Sequence, residues 1–160
     1  MLFRSTVHAL RCVFRNAAVA AHSLPLILAV FVVFGHVPGP EALLAFAGLA
    51  LVAANAFALS IVLGMVCARF RDIPPIVASV MQIAFFVSPI IWKPELLSGV
   101  GREFLPLNPF YTLLEVVRGP LLNQVPGGLI WLSACGWSLV LILAAWVCFV
   151  RVRSRLAFWV

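Results

Sequence analysis

The chain alternates long apolar runs with short polar punctuation. Runs at 17–35, 42–68, 76–92 and 129–150 are each long enough to cross a membrane as helix, at roughly 20 residues per crossing. The punctuation is densest at Arg69-Phe70-Arg71-Asp72-Ile73-Pro74-Pro75, where three charges and two prolines separate two uncharged runs. This stretch predicts a water-facing turn between two spans. Asp72 is placed to cap the next helix, and Pro74 and Pro75 fall in its first turn, where a missing N–H costs little. A second turn at 36–41 carries Pro38, Gly39 and Pro40. Ahead of the first run, residues 1–16 predict an amphipathic helix. Arg4, His8, Arg11 and Arg15 share one face at helical spacing, while Leu2, Phe3, Leu10, Val13 and Phe14 gather on the other. Such a helix either lies at the headgroups or offers a basic surface to a cytoplasmic partner.

Inside the runs, polar and small residues carry the pattern further. The 42–68 run makes roughly 40 Å of helix, more than a hydrocarbon core of about 30 Å, so it tilts or projects. Ala56, Ser60, Gly64 and Ala68 repeat at spacing four and predict a strip for close helix packing, across which Asn55 hydrogen-bonds. The 76–92 run is two-faced. Ser79, Gln82, Phe85, Phe86, Pro89 and Trp92 lie within about 140° of its circumference, opposite Val77, Val80, Ile83, Ala84, Val87 and Ile91. The first set predicts an inward-looking face.

Segment 93–126 is the least membrane-like. Lys93, Glu95, Arg102, Glu103, Glu115 and Arg118 balance to zero charge. Asn108-Pro109 marks a turn, and 110–117 predicts a helix too short to span, on which Glu115 and Arg118 pair one turn apart. The pattern as a whole predicts an all-α polytopic membrane protein of about four transmembrane helices, with an amphipathic N-terminal helix and short external helices.

Composition agrees. At 64% hydrophobic and 10% charged residues, the chain lacks the polar surface of a soluble globule, whose charged share is about 25%. The net charge of +6 forms no basic face for nucleic acid and instead reports topology. The N-terminal segment, the 69–72 turn and the C-terminal tail hold three, two and three arginines, against none in the 36–41 turn and three basic residues in 93–126. The positive-inside rule puts the arginine-rich side in the cytoplasm, so both termini are inside and 93–126 faces out. Cys12, Cys67, Cys135 and Cys148 have no metal or redox spacing and read as packing residues. His22, near the end of the first span, reads as a packing or capping residue. No phosphate-cradling glycine loop, metal-spaced cluster or nucleophile with a spaced base is present, which points away from an enzyme, a catalytic residue or a cofactor.

Four ordered strings then carry a family resemblance: Ala68-Arg69-Phe70-Arg71-Asp72-Ile73, Phe85-Phe86-Val87-Ser88-Pro89-Ile90-Ile91-Trp92, Leu107-Asn108-Pro109-Phe110, and Val117-Arg118-Gly119-Pro120-Leu121-Leu122. In order and spacing they resemble the ABC-2-type permeases that export O-antigen and related bacterial polysaccharides. The likeness runs over nearly the whole chain and corresponds to the last four of the family's six spans. The first pair is without counterpart, as in a shortened product or one whose missing pair is supplied otherwise.

The resemblance implies a homodimeric permease subunit in the bacterial inner membrane, served by separate ATP-binding cassette ATPase subunits and passing a lipid-linked glycan outward. On that reading, Arg4, His8, Arg11, Arg15, Arg69, Arg71 and Asp72 form the ATPase-coupling surface. Ser79, Gln82, Phe85, Phe86, Pro89 and Trp92 line the glycan path, since sugars present both apolar ring faces and hydroxyls. Phe104, Asn108, Phe110, Tyr111, Glu115 and Arg118 form an external gate over the exit. A drug-exporting permease of the same type and a non-transporting membrane scaffold stay open as alternatives.

Overall fold

A computed structural model describes residues 2–90, 92 and 103–152, with the side chains of 2–6, 8, 9 and 152 outside that description. Expectations for Ile91, Lys93, Glu95, Arg102, Arg153 and Arg155 therefore lie outside the described residues. Over the described residues the fold is all-helical, and three helices are long and apolar enough to cross a membrane.

Helix α1 runs unbroken over Leu2–Val33. A separate amphipathic helix before the first span is therefore not what forms. The first 24 residues contain neither Gly nor Pro, so nothing stops the helix between its basic start and its apolar window, Leu10–Val33. At about 48 Å it exceeds a hydrocarbon core, and its basic turns continue in line with the span. That window also places His22 in mid-span rather than near an end. The helix ends at Gly35, whose φ of +63° supplies the left-handed residue of a Schellman cap. Gly35 N–H donates to the Val32 carbonyl and His36 N–H to that of Phe31.

A 3-10 turn, Pro40–Leu43, leads into α2, Leu44–Arg69, the central helix. Its buried residues, Ala45, Gly48, Asn55, Ala58 and Met65, alternate at spacings of three and seven. That is a coiled-coil-like seam. The strip predicted at Ala56, Ser60, Gly64 and Ala68 is not the seam: the first two are half-buried and the last two exposed. A Cβ on Gly64 would meet nothing within 4 Å, whereas one on Gly48 would run into the Val116 carbonyl oxygen and lie 2.8 Å from its carbon. Close backbone approach is set at Gly48.

The next helix, α3, covers Ile73–Val87 and stops short of the 76–92 run. Pro89 is the cause: it disfavours helical backbone at the residue before it, and Ser88 is extended at ψ 140°. Fifteen residues make about 22 Å, too little to cross alone. Pro74 and Pro75 do occupy its first turn, but Asp72, at the N-cap position, has near-helical backbone (φ −85°, ψ −10°) and makes no side-chain capping bond.

Helix α4, Pro109–Leu121, is capped by Asn108, whose Oδ1 accepts from the N–H groups of Phe110 and Tyr111. A short turn joins it to α5, Gly128–Val152. The structure packs α4 against α2 and α5. Trp137 Nε1–H donates to the Leu107 carbonyl at 3.1 Å, and Trp137 lies about 13 Å along α5 from its start. The beginning of α4 thus sits level with a point about a third of the way along α5. Sequence chemistry explains this: α4's two charges, Glu115 and Arg118, neutralise each other at 2.8 Å, which frees Tyr111, Thr112, Val116 and Gly119 to be buried.

Three helices are long and apolar enough to cross a membrane, and α3 is too short to do so alone. At one end, the α1–α2 and α4–α5 turns are clipped together. Asn123, at φ +58°, accepts from Gly39 N–H and donates to the Val37 carbonyl, while His36 Nε2 bonds the Leu121 carbonyl.

Candidate functional site

Helix α3 carries the candidate face, and its packing shows which way that face looks. The helix packs thinly, chiefly on α2, and buries no residue. Its half-buried positions, Ile73, Val77 and Ala84, fall on one stripe of the 3.6-residue period. Ser79, Gln82, Phe85 and Phe86 lie opposite, all exposed. The face that sequence alone turns inward is therefore turned away from the chain's own helices. Phe85 and Phe86 stack edge to face with centroids 5.7 Å apart, and Ser79 Oγ–H returns its bond to the Pro75 carbonyl. Gln82 makes no hydrogen bond among the described residues.

Two residues assigned to the same face are separated from it. Pro89 lies past the end of α3 and is fully buried, its carbonyl facing the Arg118 guanidinium at 3.5 Å. Trp92 also lies past the helix, and its indole N–H donates to the Phe86 carbonyl at 3.2 Å. It closes one of the unpaired carbonyls of a helix end.

The gate residues divide in the same manner. Phe104 and Phe110 are exposed, but Tyr111 is buried in the bundle. Asn108 and Arg118 connect α4 to the break after α3: Asn108 Nδ2–H donates to Ser88 Oγ at 3.2 Å, and Arg118 holds Glu115 while reaching Pro89. Of the coupling set, Arg11 and Arg15 are exposed on α1, and Arg69, Arg71 and Asp72 are exposed on the α2–α3 turn. Arg4 and His8 lie on α1 with side chains outside the described set. The alternating direction of α1, α2 and α5 brings the start of α1, that turn and Arg151 to one end of the bundle. There the Arg69 guanidinium lies over the Phe70 ring, 5.3 Å from its centre.

Sequence reasoning placed Asn55 in a hydrogen bond across a helix contact but did not identify its partner, and it missed an apolar cleft. Asn55 Nδ2–H donates to Ser138 Oγ on α5 at 2.6 Å, and Ser138 donates on to the Ala134 carbonyl. Ser138 faces α2 at the same seven-residue spacing from Trp131 and Ala145 that a seam would show, a signal open to reading in advance. The cleft, of about 250 Å³, lies between α1 and α2 and is lined by Leu24, Phe31, Leu43, Phe46 and Leu121 among others. It is apolar almost throughout and offers sugar hydroxyls nothing to bond. Among the described residues no three His, Cys, Asp or Glu side chains converge on a metal-sized space. Compared with known protein families and with curated proteins, the chain matches none.

Proposed function

We propose that this chain is the transmembrane permease subunit of an ABC-2-type exporter that passes a lipid-linked polysaccharide, such as O-antigen or a capsule glycan, across the bacterial inner membrane. It works as one of a pair and takes its energy from separate ATP-binding cassette subunits. The observation that carries the reading is the outward-turned face of α3, where Ser79, Gln82, Phe85 and Phe86 are exposed on a helix of otherwise aliphatic character. A scaffold that only packs its spans has no use for such a face. Aromatic rings stack on the apolar faces of sugars, and an amide and a hydroxyl exchange hydrogen bonds with their hydroxyls. The four ordered sequence strings add the family, and the exposed Arg69, Arg71 and Asp72 turn supplies a docking surface for an ATPase.

The test is single replacement of Phe85 and Phe86 by Ala in cells that depend on the protein for surface polysaccharide, with Val80 and Val87 on the opposite side as controls. Export at constant protein level falls several-fold for the phenylalanines and little for the valines. Equal losses from both sets would reduce α3 to a packing helix. The apolar cleft between α1 and α2 favours a second reading, a permease for apolar drugs. Efflux of a hydrophobic dye that survives both phenylalanine changes but fails on Leu28→Trp in the cleft supports that one.

A further inference from the structure

An amide left facing hydrocarbon costs on the order of several kcal/mol, and Gln82 is placed to incur that cost. It lies about 13 Å along α3 from Ile73, near the middle of a membrane of about 30 Å. It is exposed, makes no hydrogen bond among the described residues, and sits on the side of the helix away from α2. What covers it must offer a donor and an acceptor together at that depth.

We propose that a second copy of this chain covers it, with two α3 helices meeting across a two-fold axis and the Gln82 amides bonded to each other. A primary amide is self-complementary: Oε1 of one accepts from Nε2–H of the other, and symmetry returns the second bond. The neighbouring residues fit this contact. Pro75, Ala78 and Ser79, toward the Arg71 end on the same stripe, are small enough for the helices to approach closely there. Phe85 and Phe86, toward the other end, are bulky and hold the two helices apart. The exposed face of one chain is a single wall, and the second copy supplies the opposite wall, with the amide pair as its narrowest closure. Among the described residues His22 is the other exposed polar side chain at comparable depth that lacks a hydrogen bond, but a neutral imidazole offers one donor and one acceptor on opposite edges and does not pair reciprocally. The proposal deepens the permease reading, on which it rests for the pairing of two subunits.

Disulfide trapping in native membranes tests it. In a background with Cys12, Cys67, Cys135 and Cys148 replaced by Ala, the changes Gln82→Cys, Phe86→Cys, Val80→Cys, Ala84→Cys and His22→Cys are introduced singly and oxidised with copper phenanthroline. Dimers form at positions 82 and 86 and not at 80 or 84. Crosslinking at 80, 84 or 22 in preference to 82, or none in protein that resists carbonate extraction, overturns the interface. Energy transfer between fluorescent C-terminal fusions covers a cysteine variant that fails to insert. Gln82→Leu weakens association about three- to twentyfold, and Gln82→Asn restores part of it; association unchanged by Leu overturns the amide pair. Polysaccharide export is measured in parallel. Export that responds to Phe85→Ala while position 82 fails to crosslink removes this interface and leaves the permease reading standing. Crosslinks at 82 with export indifferent to the phenylalanines keep the interface and remove the permease reading.

Discussion

Adding one methyl group to either of two glycines on α2 should move stability in opposite directions. At Gly48 a new Cβ would enter the Val116 carbonyl, at 2.8 Å from its carbon and 3.1 Å from the nearest Val117 methyl. The obstruction is backbone of α4, which cannot swing aside as a side-chain tip would, so α2 and α4 must separate. Overpacking against backbone falls in the upper part of the usual range, about 2–3 kcal/mol. Alanine also returns roughly 1 kcal/mol of helix propensity over glycine, so the net loss for Gly48→Ala is about 1–2 kcal/mol. Gly64 has open space around its absent Cβ. Gly64→Ala keeps the propensity gain alone and is neutral or stabilising by up to about 1 kcal/mol. For a chain of this size each kcal/mol shifts the midpoint by about 2–4 °C. Thermal melting of the purified protein in one detergent therefore lowers the midpoint by several degrees for Gly48→Ala and leaves or raises it for Gly64→Ala. A Gly48→Ala protein as stable as the parent would show that the α2–α4 contact is not the close approach described.

Two further outcomes test topology and coupling. A phosphatase reporter fused after Gly39 is active outside the cytoplasm and one after Arg71 is inactive, and activity at Arg71 reverses the orientation that the arginine asymmetry implies. Asp72→Arg reduces export and transport-stimulated ATP hydrolysis several-fold at unchanged protein level, because it places a third positive charge on the exposed Arg69–Arg71 turn without removing any capping bond. Unchanged hydrolysis leaves that turn an anchoring role only.

What the sequence made legible was the part of the fold set by composition and by local chemistry. The long apolar helices, the turn at Arg71, the prolines opening α3 and the Glu115–Arg118 pair all follow from residues near each other in the chain. Burial was harder to read. Residues 110–117 read as a helix too short to span, yet α4 is buried, since length says nothing about what an element packs against. The small-residue strip at Ala56, Ser60, Gly64 and Ala68 had the right chemistry and the wrong side of the helix, because periodicity identifies a stripe without identifying its neighbour. The two faces of α3 were visible in advance, but not that the polar one looks away from the bundle. That depends on where α2 lies.

The uneven distribution of contacts explains how one chain can hold both a firm frame and an open face. Helices α2, α4 and α5 interlock through the Gly48 approach, the Asn55–Ser138 bond and the Trp137 bond to Leu107. Helix α3 shares none of these and is joined to that frame at its two ends, by the Arg69–Asp72 turn and by the break at Ser88–Pro89. Irregular backbone at membrane depth is tolerated only where protein or a wet cavity surrounds it. Here Ser88 and Pro89 are fully buried beneath α4, with Asn108 and Arg118 bonded to them. The break is thus a supported joint, and sparse packing places α3 at the low-stability end of the fold, where moving elements are drawn from. The same few bonds that let α3 stand apart also fix how far it stands, which is why its exposed face is best understood together with the Ser88–Pro89 joint.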